Sequence, residues 1–184
     1  MTYALNYLLY QAGWFTCVLG AAGGRPWLAA LAGAVLLAVH LGLARRRADE
    51  LALALAVMAI GLAVDALQIR LGTLRFSGGL LDPRLPPPWL VILWAQFATT
   101  LHFCLAWVRH SWWRSVPFGA IGGPCAFLAG ARLGAVQLAS PVWPSLLSLS
   151  VLWSVAMPLA ATLAARQALR PGAGEYRWPG SRRG

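Results

Sequence analysis

Six apolar segments, at residues 3–22, 27–44, 51–72, 89–108, 117–139 and 145–169, follow one another with short interruptions such as Gly23-Gly24-Arg25-Pro26, Arg45-Arg46-Arg47 and Pro86-Pro87-Pro88. Each approaches the ~20 residues that an α-helix needs to cross the hydrocarbon core of a bilayer, and the Arg, Pro and Gly clusters punctuate a helical pattern. Composition agrees: 59% of the 184 residues are apolar and 11% charged, against about 45–50% and about 25% in soluble domains. An ordinary soluble domain is therefore excluded, and the length suits a single domain. The formal charge of +10 comes entirely from arginine, without a lysine. Long uncharged segments exclude a nucleic-acid binder, which spreads its basic residues over a solvated face. The fold class expected is an all-α polytopic membrane bundle of six helices.

Arginine placement sets the orientation, because short basic loops stay on the cytoplasmic side. With six spans, the termini and the second and fourth loops share one side. That side holds Arg45, Arg46, Arg47, Arg109, Arg114, Arg166, Arg170, Arg177, Arg182 and Arg183; the other holds Arg25, Arg70, Arg75 and Arg84. Both termini are thus expected in the cytoplasm, and residues 170–184 form a basic tail suited to anionic headgroups. Trp27, Trp89 and Trp143 then fall at the outer interface and Trp107, Trp112 and Trp113 at the inner one, where indole rings favour the headgroup layer. The first segment lacks a positive n-region and carries Asn6 and Gln11, so it reads as a span of the mature protein rather than a secretory signal. Proline near the mouth of each inward-running helix and the shared strings Arg70-Leu71-Gly72 and Arg132-Leu133-Gly134 hint at three repeated hairpins, although proline at a first turn also arises locally.

Polar residues inside the spans are the functional candidates, because an ionisable group there is expensive and faces a partner or a watery cavity. Asp65 and Arg132 each lie seven residues from the assigned outer ends of spans three and five, and Gln96 lies seven residues into span four, so all three sit about 10 Å below the outer boundary. Gln68 shares a helix face with Asp65, and Thr99 and Thr100 share one with Gln96. The candidate site is a polar network of Asp65, Gln68, Gln96, Thr99, Thr100 and Arg132; the alternatives are an ion pair that merely locks two helices, or an Arg132 that snorkels to headgroups.

Span five also carries Gly119, Gly123, Ala126, Gly130 and Gly134 on one stripe, which permits close helix packing. Arg132 projects on the opposite side, so this helix is expected near the bundle centre. Gly122-Gly123-Pro124 is expected to kink or unwind its inner half, a break that protein or a cavity must satisfy. On span one, Tyr3, Tyr7, Tyr10, Trp14 and Cys17 form a stripe that reads as packing.

His40 and His102 lie at similar depths near the inner ends of their spans, and two such imidazoles are a minor option for haem iron; no cofactor is otherwise implied. Cys17, Cys104 and Cys125 have no metal-ligand spacing and read as small apolar residues. Zinc HExxH, GxSxG and GxxxxGK motifs are absent, so no known catalytic motif demands an enzyme.

The strings at residues 6–18 (NYLLYQAGWFTCV), 93–101 (LWAQFATTL) and 122–136 (GGPCAFLAGARLGAV), with the lone Asp65 between them, resemble the bacterial multi-pass membrane family known as domain of unknown function 2878. The resemblance covers the chain to about Ala165, with Gln11, Gly13, Trp14, Phe97, Thr99, Thr100, Gly122, Gly123, Pro124, Gly130 and Gly134 as its motif residues. It implies a bacterial inner-membrane protein without an assigned activity, loosely associated with lipid-modification gene neighbourhoods, and gives none of these residues a role. Two classes stay open: a small transporter or accessory membrane component, with the bilayer and a membrane partner or second copy as its partners, and a lipid-modifying enzyme or its subunit using Asp65 as proton carrier and Arg132 as headgroup ligand.

Overall fold

Three glycines decide where the odd-numbered helices stop. In the computed structural model, which describes residues 2–79 and 81–170, α1 spans Tyr3–Ala22, α2 Pro26–Leu43, α3 Arg47–Arg70, α4 Pro88–Thr100, α5 Trp112–Arg132 and α6 Val142–Ala168. Helices α1, α3 and α5 are followed by Gly24, Gly72 and Gly134 with φ of 73°, 72° and 91°. Each closes a Schellman cap, with Gly72 N–H bonded to Ile69 O and Thr73 N–H to Gln68 O, and the same pattern at Gly24–Arg25 and Gly134–Ala135. Only glycine occupies that left-handed region without penalty. Pro26 and Pro88 then open α2 and α4 and Pro141 caps α6, positions where a missing N–H is harmless. The regularity seen along the sequence is thus a repeated local device.

Among the described residues the regular structure is all helical apart from two-residue strands, β1 Leu74–Arg75 and β2 Gln137–Leu138, which pair antiparallel beside those caps. Among the described residues three helices, α2, α3 and α6, are long and apolar enough to cross a membrane. Leu31 and Val35 of α2, Leu55 of α3, and Val151 and Val155 of α6 face outward, the inverse of a soluble protein's surface. The basic tail beyond Arg170 lies outside the described residues.

Helix α4, not α5, occupies the middle. It packs against α1, α2 and α3, and all its residues but Pro88, Val91 and Ile92 are buried. The expectation of a central α5 is corrected: that helix packs chiefly on α6 and leaves Arg114, Ile121 and Arg132 exposed. A small-residue stripe needs only one neighbour, and α6 supplies it. Nor does Gly122-Gly123-Pro124 unwind α5, which runs unbroken through Pro117 and Pro124. Proline at 124 removes the N–H that would bond Ala120 O, and the Ser150 hydroxyl of α6 donates to that carbonyl instead, at 2.6 Å.

The break falls in α4. Regular helix stops at Thr100, eight residues before the expected end of span four, and gives way to turns that reach a short 3₁₀ segment at Val108–His110. The Thr99 and Thr100 hydroxyls donate back to Gln96 O and Phe97 O, and such back-bonds compete with the helical ladder. Asn6 of α1, fully buried, then supplies what the ladder loses. Its Nδ2–H donates to Thr99 O at 3.2 Å, while Cys104 N–H donates to its Oδ1 at 3.4 Å. Arg109 turns back to Leu101 O at 3.5 Å. The backbone groups freed by the break are thereby met by protein, as buried polar groups require.

Asn6→Leu, which keeps size and removes both partners, should lower stability by about 1–3 kcal/mol, the penalty of unpaired buried polar groups. Ser150→Ala should cost less because one bond is lost. Thermal unfolding of the purified protein in detergent checks the order.

Candidate functional site

Breaking α4 turns His102 toward the amino-terminal end of α3. There Glu50, 1% exposed, lies between two imidazoles that are themselves 1% and 2% exposed. His102 Nδ1 is 2.9 Å from Glu50 Oε1, and His40 Nε2 of α2 is 3.2 Å from Oε2. Four parts of the chain converge on this point, since His102 Nε2 also lies 3.3 Å from Ala164 O of α6. Phe103 packs edge-on against His40.

Donor and acceptor counting assigns the protons. A carbonyl oxygen only accepts, so His102 Nε2 carries a hydrogen toward Ala164. A second proton must then lie between His102 Nδ1 and Glu50 Oε1, and a third between His40 Nε2 and Oε2. Whichever of His102 and Glu50 holds the proton between them, the three groups together carry zero net charge. Neutrality is what allows three titratable groups to sit together out of water. The proton between His102 and Glu50 can reside on either partner with little motion of heavy atoms, and His40 Nδ1, buried and without a hydrogen-bond partner, is an acceptor in reserve.

A family model described as a protein of unknown function (DUF2878) matches residues 3–159. The chain belongs to the DUF2878 family. No curated protein and no solved structure matches it. The matched stretch includes Asn6, His40, Glu50 and His102.

The predicted polar network does not assemble as one site. Asp65 is buried and its Oδ2 accepts from Trp94 Nε1 at 2.7 Å, whereas Arg132 ends α5 on the surface and makes no ion pair with it. Equal depth along the chain did not bring them together because α5 lies on the far side of α6. Gln68 accepts from the Thr73 and Ser148 hydroxyls at 2.6 and 2.7 Å, beside the cap that ends α3. Gln96 donates to Gly33 O at 2.6 Å and fills space that a side chain at Gly13 would need. Thr99 meets Asn6, and Thr100 bonds back to its own helix. Asp65, Gln68, Gln96 and Thr99 thus make buried polar contacts with other helices, while Thr100 bonds within its own.

The glycine stripe likewise divides. A methyl on Gly119 or Gly123 would collide with Trp153 of α6, so these two make the close approach. Ala126 lines a cavity, a side chain on Gly130 would meet Val136 only at an ordinary 3.5 Å, and Gly134 serves the cap. The haem option for His40 and His102 meets rings that converge on a carboxylate, with both His102 nitrogens engaged. Among the described residues no group of three His, Cys, Asp or Glu is arranged to hold a metal ion.

Glu50 itself was missed by sequence reasoning, because it stands beside Asp49 directly after three arginines and reads as a loop acid. Asp49 does behave that way, pairing with Arg46 and Arg170 near the surface. The usable signal was scarcity: in a chain with five acids, one at the edge of a span merits the same scrutiny as one inside it.

Arg132→Ala should leave thermal stability within about 0.5 kcal/mol of the parent, as expected for a surface change. Gly123→Ala should destabilise strongly, and Gly122→Ala, whose nearest neighbour atom would be 3.9 Å away, should not. Melting curves of the three purified variants decide this.

Proposed function

We propose that this DUF2878 protein is a multi-pass component of the bacterial inner membrane, a small transporter or accessory protein whose working part is the Glu50 cluster. It crosses the bilayer six times with both termini in the cytoplasm. Helices α1 and α5, at 20 and 21 residues, reach about 30 Å at 1.5 Å per residue, and α4 completes its crossing through the turns that follow Thr100. The excess of arginine on the side of the termini supports the orientation and gives anionic headgroups their contacts.

The observation that carries the function is a carboxylate buried between two imidazoles inside a membrane bundle. Such groups are costly there and mark proton relays or substrate paths. A proton resting between His102 and Glu50, three residues from the start of a helix at the cytoplasmic end, is placed to exchange with the cytoplasm and with a passenger or partner in the bundle. A packing role alone needs no titratable group, since apolar residues of similar volume fill a core at least as well.

A second reading, a lipid-modifying enzyme or its subunit, is favoured by a separate feature, a cleft between α1 and α5 lined by Tyr10, Phe97, Ala126 and Trp153. Lipid mass spectrometry of a deletion strain separates the two. An altered lipid profile restored by the wild-type gene favours the enzyme; an unchanged profile favours the transporter or accessory protein.

Proteoliposomes containing trapped pyranine, clamped with valinomycin and given a pH step, test the proton-carrying role. Wild-type vesicles should equilibrate several-fold faster than protein-free vesicles, and Glu50→Gln vesicles should fall back to the protein-free rate. Equal rates for wild type and Glu50→Gln contradict the proposal.

A further inference from the structure

Two cavities open along the seam where α5 leans on α6 instead of α1. One, of about 60 Å³, is bounded by Trp14, Trp89, Phe127 and Gly130 at the end near the helix caps. The other, of about 220 Å³, is bounded by Tyr7, Cys104, Leu105, Phe118 and Gly122 at the end near the amino terminus. They share Tyr10, Phe97, Ala126 and Trp153, so they adjoin and form one slot. Its lining contains no charged side chain.

We infer that this slot holds one acyl chain of an anionic phospholipid, entering from the bilayer between α1 and α5. Three observations bear on the occupant. The first is length: from Phe118 to Gly130 the α5 wall rises about 18 Å at 1.5 Å per residue, longer than wide and of the order of a single extended lipid chain. The second is the lining. Trp94 and Trp153 stack at 4.4 Å to make a flat floor, with Phe97 edge-on to Trp153 at 5.7 Å, while Gly122 and Ala126 keep the opposite wall low. Flat rings facing small residues leave a narrow apolar gap that accepts methylenes and not a helix, whose diameter with side chains is about 10–12 Å.

The third is charge. Arg114, Phe118 and Gly122 lie at i, i+4 and i+8 on α5, so Arg114 stands on the same face one turn beyond the mouth of the slot. Its side chain is exposed, and one Nη donates to Trp107 O at 3.4 Å. Guanidinium has five N–H donors in a fork that fits phosphate, and a headgroup phosphate at the bilayer surface would meet it while the chain ran up the slot. Trp94, which closes the floor, is pinned from behind by Asp65. A side chain on Gly61 would overlap the Trp94 ring, so that ring has one place to lie. Asp65 is by this route a positioning residue for the slot.

Photo-crosslinking in nanodiscs tests the assignment on the unmodified protein. The probe is phosphatidylglycerol with a mid-chain diazirine, and adducts are mapped by peptide mass spectrometry. Adducts should concentrate on Tyr10, Cys104 and Ala126. Adducts confined to the outward-facing Leu31, Val35, Val151 and Val155, or cross-linked dimers showing a second copy in the slot, overturn it. Ala126→Phe, which plugs the slot where the two cavities meet, should lower the slot adducts several-fold without changing those on α2 and α6. Arg114→Gln should lower them several-fold for phosphatidylglycerol and less for the phosphatidylcholine analogue, whose choline offsets the phosphate charge; yields that the substitution leaves unchanged for both lipids would contradict the headgroup contact.

Discussion

The bonds of one asparagine at the end of α4 set the rest of the arrangement. A buried helix cannot stop unless its orphaned carbonyls and amides find partners. Asn6 meets one of each, Thr99 O and Cys104 N–H, from a neighbouring helix. With those groups satisfied the chain can turn, and the turn aims His102 at Glu50 rather than along the helix axis. Had α4 continued straight to residue 108, His102 would have followed the helical period, with its direction tied to Ala98, Thr99 and Ala106 rather than free to meet α3 and α6.

Two acids with the same side-chain chemistry have opposite settings. Glu50 is held in a neutral triad with hydrogen bonds on both oxygens, so the cluster stores a proton without storing net charge. Asp65 has a single indole donor, and its other oxygen, Oδ1, is buried without a hydrogen bond. The first arrangement suits exchange of a proton; the second suits fixing a tryptophan in place. Surface pairs such as Arg170 with Asp49 are of the kind that contributes little to stability, so the charges that shape the interior are these two acids and not the abundant arginines.

Much of the helical plan was legible in the letters. The first helix matches its expected bounds, because a run of apolar residues closed by Gly23-Gly24 leaves little freedom, and Pro26 and Pro88 open helices where proline is tolerated. The end of α4 was not legible: Phe97 to Val108 is as apolar as any span, and the break depends on hydroxyl back-bonds and on an asparagine more than ninety residues away. The site followed the same pattern. His40 and His102 were picked out by depth, but depth says nothing of direction, and the carboxylate that joins them looked like one more loop charge. Asp65 and Arg132 show the converse, since equal depth put together two residues that the packing of α5 on α6 keeps apart.

Whether one carboxylate engages both imidazoles is directly measurable. Nitrogen-15 spectra of histidine-labelled protein in lipid resolve three side chains, His40, His102 and His110. With Glu50 between them, His40 and His102 should show strongly hydrogen-bonded ring nitrogens, and Glu50→Gln should shift both while leaving His110 unchanged. If the replacement leaves His40 and His102 where they were, the cluster does not exist as described.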